Sequence, residues 1–350
     1  MTDEIYYPLP REEVIKAVER RGPRRVPLVR AKWWGEGLEE QYGDRLARFD
    51  RYPEDVAWVW LADWVFDAAS WGLSWYDPDA GRDKGIDARA VLDDWAKLDE
   101  FIAKMPDPAD PKVFEGLAAK ADAARAQGRY VLFCFWRLFF ERPWGYRGME
   151  NLMLDYYLYP EQVHRLHDAL CTFYEKLIER AARELKPDGF WTSDDLGNQR
   201  QLMVRPETFA EFMQPYYVRI GQACRRAGLH WWLHSCGNNT VALPYLADAG
   251  VDVFHPVQKH TMDERAVAAQ FGGRMTFLAG LDVQHVLQEG GPADVRAEVR
   301  FLIDTFDRPD GGMCIAAGNG IVAGTPYENI DAFLDEAVRY GALHRGAQPV

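Results

Sequence analysis

The sequence predicts an α/β protein, a single (β/α)8 TIM barrel with an elaborated amino-terminal region. Three observations lead there: short apolar runs recur along the chain, helix-start signals lie between them, and no proline-, glycine- or serine-rich linker separates two domains. The candidate strands are RRVPLVRAKW from Arg24, AWVWLADWV from Ala57, YVLFCFW from Tyr130, GFWTSDD from Gly189, LHWWLHSC from Leu229, VDVFHPV from Val251, MTFLAGLD from Met275 and GMCIAAGNG from Gly312. Between them, Pro206-Glu207-Thr208 opens a helix bearing Phe209, Phe212 and Met213, and Thr325-Pro326 opens one bearing Ile330, Phe333, Leu334 and Val338. Alternation of strand and helix implies a parallel sheet covered by helices.

The first quarter is less regular. Trp33, Trp34, Trp58, Trp60, Trp64, Trp71 and Trp75 crowd it, and Asp77-Pro78-Asp79-Ala80-Gly81 marks a turn. Core packing accounts for most of these tryptophans, and a flat wall for a ring-shaped ligand is the alternative. The irregular stretch from Pro106 to Pro111 is too short to act as a linker between domains.

At 350 residues and 48% hydrophobic content, the chain can bury a large core. Its formal charge of -13, from 54 acidic and 41 basic residues, disfavours a nucleic-acid partner and favours a small-molecule substrate. The five cysteines form no CxxC pair, which points to a reducing, cytoplasmic setting. Neither a signal sequence after Met1 nor an apolar run of bilayer length is present, so no membrane partner is expected.

Chemistry concentrates at the ends of the candidate strands. His234 and Cys236 face one side of a regular strand, because the side-chain period is two, and imidazole plus thiolate suits Zn2+. Packing of a thiol beside a hydrogen-bonded histidine is the competing explanation. Further donors must come from elsewhere: Cys314 is the best second thiol, with His255, Asp194, Asp195 and Asp282 near other strand ends. In Ser193-Asp194-Asp195, Asp195 is the candidate to accept a proton or hold a cation, and Asp194 the candidate to cap the following loop. Gln258 and Gln284 are placed to hydrogen-bond a substrate amide, carboxylate or water; Asp282 is either catalytic or a helix cap.

The ordered set SDDLGNQRQLMVRPETFAEFMQPYY, HSCGN, GVDVFHPVQ, FLAGLDVQHVL and GNGIVAGTPYENI resembles the uroporphyrinogen decarboxylase superfamily, which also contains zinc-dependent methyltransferases acting with corrinoid proteins or thiol acceptors. The resemblance runs from roughly Arg25 to Glu336. It implies an extension over residues 1–24 and one barrel domain over 25–345, with the cleft at the carboxyl ends of the strands.

Two departures separate the chain from true decarboxylases. The arginine-rich RQAGR-type segment is replaced by Arg30-Ala31-Lys32-Trp33-Trp34-Gly35-Glu36, and a GHGI-like loop by Gly318-Asn319-Gly320-Ile321. The methyltransferase branch supplies an HxC pair, matched by His234 and Cys236, and a later cysteine whose position is taken here by Asn319, five residues after Cys314.

The resemblance therefore implies methyl transfer between a small substrate or thiol and a corrinoid carried by a partner protein. Zinc is expected on His234, Cys236 and Cys314, and Asp195, His234 and Asp282 are the expected catalytic residues. Arg30, Lys32, Arg200, Gln258, Gln284 and Asn319 are the expected substrate contacts. Tetrapyrrole decarboxylation, with Arg30, Lys32 and Arg200 holding carboxylates, is the alternative reaction, and a non-catalytic corrinoid- or protein-binding module is the alternative class. Pairing of the barrel into a homodimer is left open.

Overall fold

A computed structural model describes residues 4–30, 33–77 and 90–346. The expected Asp77–Gly81 turn falls mostly outside them, as does Lys32. Seven of the expected strands form: β1 Val56–Trp60, β2 Tyr130–Cys134, β3 Gly189–Ser193, β4 His230–His234, β5 Val253–His255, β6 Thr276–Leu281 and β7 Met313–Ala317. They follow one another in a single seven-stranded sheet, and the registers that define β2–β3, β3–β4, β5–β6 and β6–β7 are parallel. Strands β2, β3, β5, β6 and β7 are buried at every position, as expected where helices cover both faces.

Among its described residues, the segment from Arg24, expected as a further strand, contributes a single bridge, Leu28 to Ile315. Val29 N–H donates to Ile315 O at 2.9 Å, Ile315 N–H to Pro27 O at 2.8 Å, and Asp55 N–H to Leu28 O at 3.0 Å. Pro27 has no N–H to extend a ladder. The Leu28 N–H goes to the Asp55 carboxylate at 2.6 Å, which also takes Arg25 through Nη1 at 2.8 Å and Nη2 at 2.9 Å. A buried ion pair thus replaces some of the ladder.

The chain divides into two compact units. One comprises the chain up to Ala57, Ala123–Val131 and the chain from Asp252; the other comprises Trp58–Asp122 and Leu132–Val251. In the first, the helix Tyr327–Leu343 buries Ile330, Phe333, Leu334 and Val338, as its spacing predicts. In the second, Pro206–Phe212 begins with proline at its first turn and buries Phe209 and Phe212, with Met213 buried just beyond.

The 25-residue helix Pro160–Glu184 of the second unit carries a buried histidine. His167 Nδ1 lies 2.6 Å from Phe212 O, so it carries the donated hydrogen, while Nε2 is buried without a partner. A second proton would have no acceptor, and burial pushes the His167 pKa down from 6.5 to about 4. Protons bind the unfolded ring more readily, so stability present above pH 6.5 is lost as the pH falls towards 4. We expect His167 to cost the wild type about 2–3 kcal/mol over that range. Asp194 and Asp195, whose carboxyls are raised, act in the opposite sense, so the measurement is the difference in urea unfolding free energy between wild type and His167→Gln against pH. A difference that stays constant would refute the assignment.

Candidate active site

The register of β3 on β4 sets the site in the second unit. Ser193 pairs with His234, and the ladder continues beyond both strands: Asp194 N–H donates to His234 O at 2.9 Å, Gly197 N–H to Cys236 O at 3.3 Å and Asn238 N–H to Asn198 O at 2.8 Å. Two consecutive loops are thereby zipped together. Gly237 adopts φ +83°, and a Cβ there would overlap the backbone of Gly197; a Cβ on Gly197 would lie 2.6 Å from Asn238 N. Gly237→Ala is therefore expected to cost about 2 kcal/mol or more and to push the loops apart, read as a lower unfolding midpoint. A wild-type midpoint would show that the contact is dispensable.

Asn239 secures the turn after β4. Fully buried, it donates through Nδ2 to Ser235 O at 2.9 Å, Cys236 O at 3.0 Å and Gly237 O at 3.2 Å, and its Oδ1 accepts from Ser235 Oγ at 3.1 Å. Ser235 Oγ in turn accepts the Leu196 N–H at 3.1 Å.

Three reactive side chains converge on this frame. Cys236 Sγ lies 3.4 Å from His234 Nε2, and Asp195 Oδ1 lies 3.6 Å from the same nitrogen. The Cys236 N–H donates to Asp195 Oδ1 at 2.7 Å, and one donor atom from each residue falls within 4.8 Å of the others. His234 is buried, while Asp195 and Cys236 are half-buried, so the group opens to solvent on the carboxylate and thiol side.

A residue not singled out by sequence organises the acids. Glu141 Oε2 accepts from Ser193 Oγ at 2.9 Å and from the Asp195 N–H at 3.1 Å. Asp194 is turned the other way: its carboxylate accepts from the N–H groups of Phe139 at 2.9 Å and Glu141 at 2.7 Å, from Phe140 N–H, and from Tyr217 Oη at 2.8 Å. It therefore anchors the start of the helix Glu141–Arg147 rather than the loop that follows it. Burial, and next the negative charge of Glu141, push both Asp194 and Asp195 up to about 7; hydrogen-bond donors oppose the shift at each.

Tryptophans flank the group. Trp60 stacks on Trp58 with centroids 5.8 Å apart and on Trp136 at 5.1 Å, while Trp136 and Trp191 stand 6.3 and 6.2 Å from the His234 ring. Trp191 is fully buried and Trp136 is exposed, so packing and a flat accessible wall coexist in one cluster.

Cys314 is fully buried in β7 and takes part in none of the metal-type clusters among the described residues; burial, then Asp55, raises its thiol pKa well above the ordinary range. His255 is fully buried, its Nε2 lies 3.0 Å from Ala317 O, and its ring lies 4.4 Å from that of Trp33. Arg30 pairs with Asp50 at 3.1 Å beside a cavity of about 860 Å³ lined also by Arg51, Glu54 and Arg129. Arg200 is exposed, with its N–H donated to Asn198 Oδ1 at 2.8 Å. Gln258 is half-buried and Gln284 exposed; exposed Asn319 accepts the Gly320 N–H at 2.7 Å. Asp282 caps a turn, its Oδ1 accepting from Gln284 N–H at 2.9 Å and His285 N–H at 3.2 Å. Among the described residues, no helix is long and apolar enough to cross a membrane.

A parallel α/β sheet with an acid, an imidazole and a thiol gathered beyond two adjacent strands defines the class of molecule. Residues 144–340, more than half of the chain, match the uroporphyrinogen decarboxylase (URO-D) family, and the chain belongs to that family. It is similar to the methylated-thiol–coenzyme M methyltransferase of Methanosarcina mazei, 26% identical over 190 residues that cover 53% of this chain and 47% of the relative. It is also similar to the uroporphyrinogen decarboxylase of Schizosaccharomyces pombe, 25% identical over 199 residues covering 53% and 51%. The chain thus spans about half the length of these curated relatives. A solved methyltransferase from Methanosarcina mazei shares the fold with a TM-score of 0.65 at 13% identity, covering 94% of this chain and 98% of the other.

Proposed function

We propose that the protein is a methyltransferase that passes a methyl group between a corrinoid, carried by a partner protein, and a small thiol or similar substrate. The observation that carries this reading is the convergence of Asp195, His234 and Cys236. Donors of this mixed O, N, S type suit zinc, whose bonds of about 2.0–2.3 Å set neighbouring ligands about 3.3–3.6 Å apart in a tetrahedron. The observed 3.4 and 3.6 Å separations fit that spacing. Asp195 is proposed as third ligand ahead of Cys314, whose thiol is sealed in β7. Zinc held there would favour thiolate over thiol in an incoming substrate.

The chain's own residues supply the rest. Cys236 N–H fixes Asp195 Oδ1 towards His234, and Glu141 fixes the Asp195 backbone. The raised Asp195 carboxyl must shed its proton when the donor set closes, so occupancy weakens below about pH 7. The exposed face of Trp136 offers a flat surface beside the reacting sulfur, and Arg200 is proposed for a substrate carboxylate. In the reaction the incoming sulfur gives up its proton to solvent water and bonds to the methyl carbon, while the donor keeps the bonding pair.

We also infer that the Pro27–Val29 segment, bonded to Ile315 on one side and Asp55 on the other, completes a closed eight-stranded barrel over residues 25–345, with 1–24 as its extension. The five cysteines, none in a disulfide, support action in a reducing cytoplasm. The test combines the zinc-loaded protein with methylcobalamin and a panel of thiols and follows corrinoid demethylation by absorbance. Transfer that disappears in His234→Ala is expected; no transfer to any thiol, with carbon dioxide released from a tetrapyrrole instead, would replace this reading by decarboxylation.

A further inference from the structure

The first unit holds another cluster whose chemistry is that of a metal site: His260, Asp282 and His285, each offering one donor atom within 4.8 Å of the other two. Asp282 Oδ2 lies 3.1 Å from His285 Nδ1 and 3.6 Å from His260 Nε2. The two rings stand nearly perpendicular, at 85°, with centroids 5.0 Å apart. We propose that these three residues form a second divalent transition-metal site, separate in composition from the thiol-containing one, with zinc as the ion used to define it.

Three physical features support the assignment. Donors around a first-row ion with bonds of about 2.0–2.2 Å lie about 3.0–3.5 Å apart; the 3.1 Å separation of Asp282 and His285 has that spacing and the 3.6 Å separation of Asp282 and His260 lies close to it. The carboxylate is pre-oriented: Asp282 is 9% exposed, and its Oδ1 accepts the N–H groups of Gln284 and His285, which leaves Oδ2 turned to the imidazoles. Finally, His260 sits at φ +65°, a conformation a non-glycine residue adopts at a cost, and in it the ring is carried back over Asp282.

Local charge favours a cation as well. The neighbouring Lys259 is engaged by Glu298 at 2.7 Å and Glu264 at 3.3 Å, so its charge is directed to those acids. Both histidines are exposed, with side-chain accessibilities of 60% for His260 and 58% for His285, and ions reach the cluster from solvent. Two imidazoles and one carboxylate leave at least one coordination position open to water or to an oxygen or nitrogen ligand.

The cluster contains no sulfur, which makes it separable by experiment. The full chain carrying Cys236→Ser, freed of metal, is titrated with Zn2+ against a chromophoric chelator, and circular dichroism confirms that each variant is folded. One equivalent is expected to bind, with affinity reduced about 10–100-fold or more when His285→Ala or, leaving the Asp282 turn intact, His260→Ala is added. Co2+ in the same protein is expected to give visible ligand-field bands without thiolate-to-cobalt charge transfer. Absence of binding, or binding that neither histidine substitution weakens, would overturn the proposal. A failure of the Cys236 site alone would leave both results unchanged.

Discussion

Cys236→Ser is expected to lower affinity at the proposed zinc site about 100-fold or more and to abolish the proposed methyl transfer to thiols, with folding retained. The side chain is only half-buried and its backbone N–H, not its sulfur, holds Asp195, so the substitution removes the soft donor without dismantling the loop. His234→Ala is expected to act as strongly on affinity, since its Nε2 is the atom nearest to both partners. Asp195→Asn separates two roles. The amide keeps an oxygen for the Cys236 N–H but has no charge, so the loop should hold while zinc binding weakens and its dependence on pH near 7 flattens. Unchanged zinc content in Cys236→Ser, measured with the His260 cluster removed, would mean that the thiol is a packing residue.

Asp194→Ala is expected to be the most destabilising single change in the second unit, at about 3–5 kcal/mol. Its carboxylate is fully buried and satisfies three backbone N–H groups and the Tyr217 hydroxyl, all of which would lose their acceptor. The effect should reach the chemistry, because Glu141 occupies the helix start that Asp194 anchors and also supports Asp195. Asp194→Asn retains oxygen and volume and should lose less, about 1–3 kcal/mol. Urea unfolding of the three proteins orders them; a cost below about 1 kcal/mol for the alanine variant would show that water replaces the carboxylate at the cap.

How much of this was legible beforehand depended on the range of the interactions. Strands such as YVLFCFW and LHWWLHSC announce themselves because burial on both faces demands an unbroken apolar run, and those runs became β2 and β4. The run from Arg24 looked equivalent, but Pro27 and the demands of Arg25 and Asp55 for each other left one bridge among its described residues. His234, Cys236 and Asp195 were readable as polar residues beyond buried strands, and the β3–β4 register explains why they meet. Glu141 was not readable, since it arrives from a helix 54 residues before Asp195. The division of roles between the adjacent aspartates, Asp195 reactive and Asp194 capping, was readable from their place after a buried strand; that Asp194 caps the start of the helix Glu141–Arg147 and not the loop that follows it was not, because that helix lies far earlier in the chain. The pairing of Asp282 with His260 and His285 depends on a left-handed residue in a turn, for which the local sequence carries no glycine or asparagine signal.

Asp195, His234 and Cys236 are proposed to share one zinc ion. Zinc K-edge absorption of the His260→Ala, His285→Ala protein loaded with one equivalent tests this most directly. A shell containing one sulfur at about 2.3 Å and nitrogen and oxygen neighbours at about 2.0–2.2 Å is expected. A shell of nitrogen and oxygen alone, or no retained zinc, would contradict it.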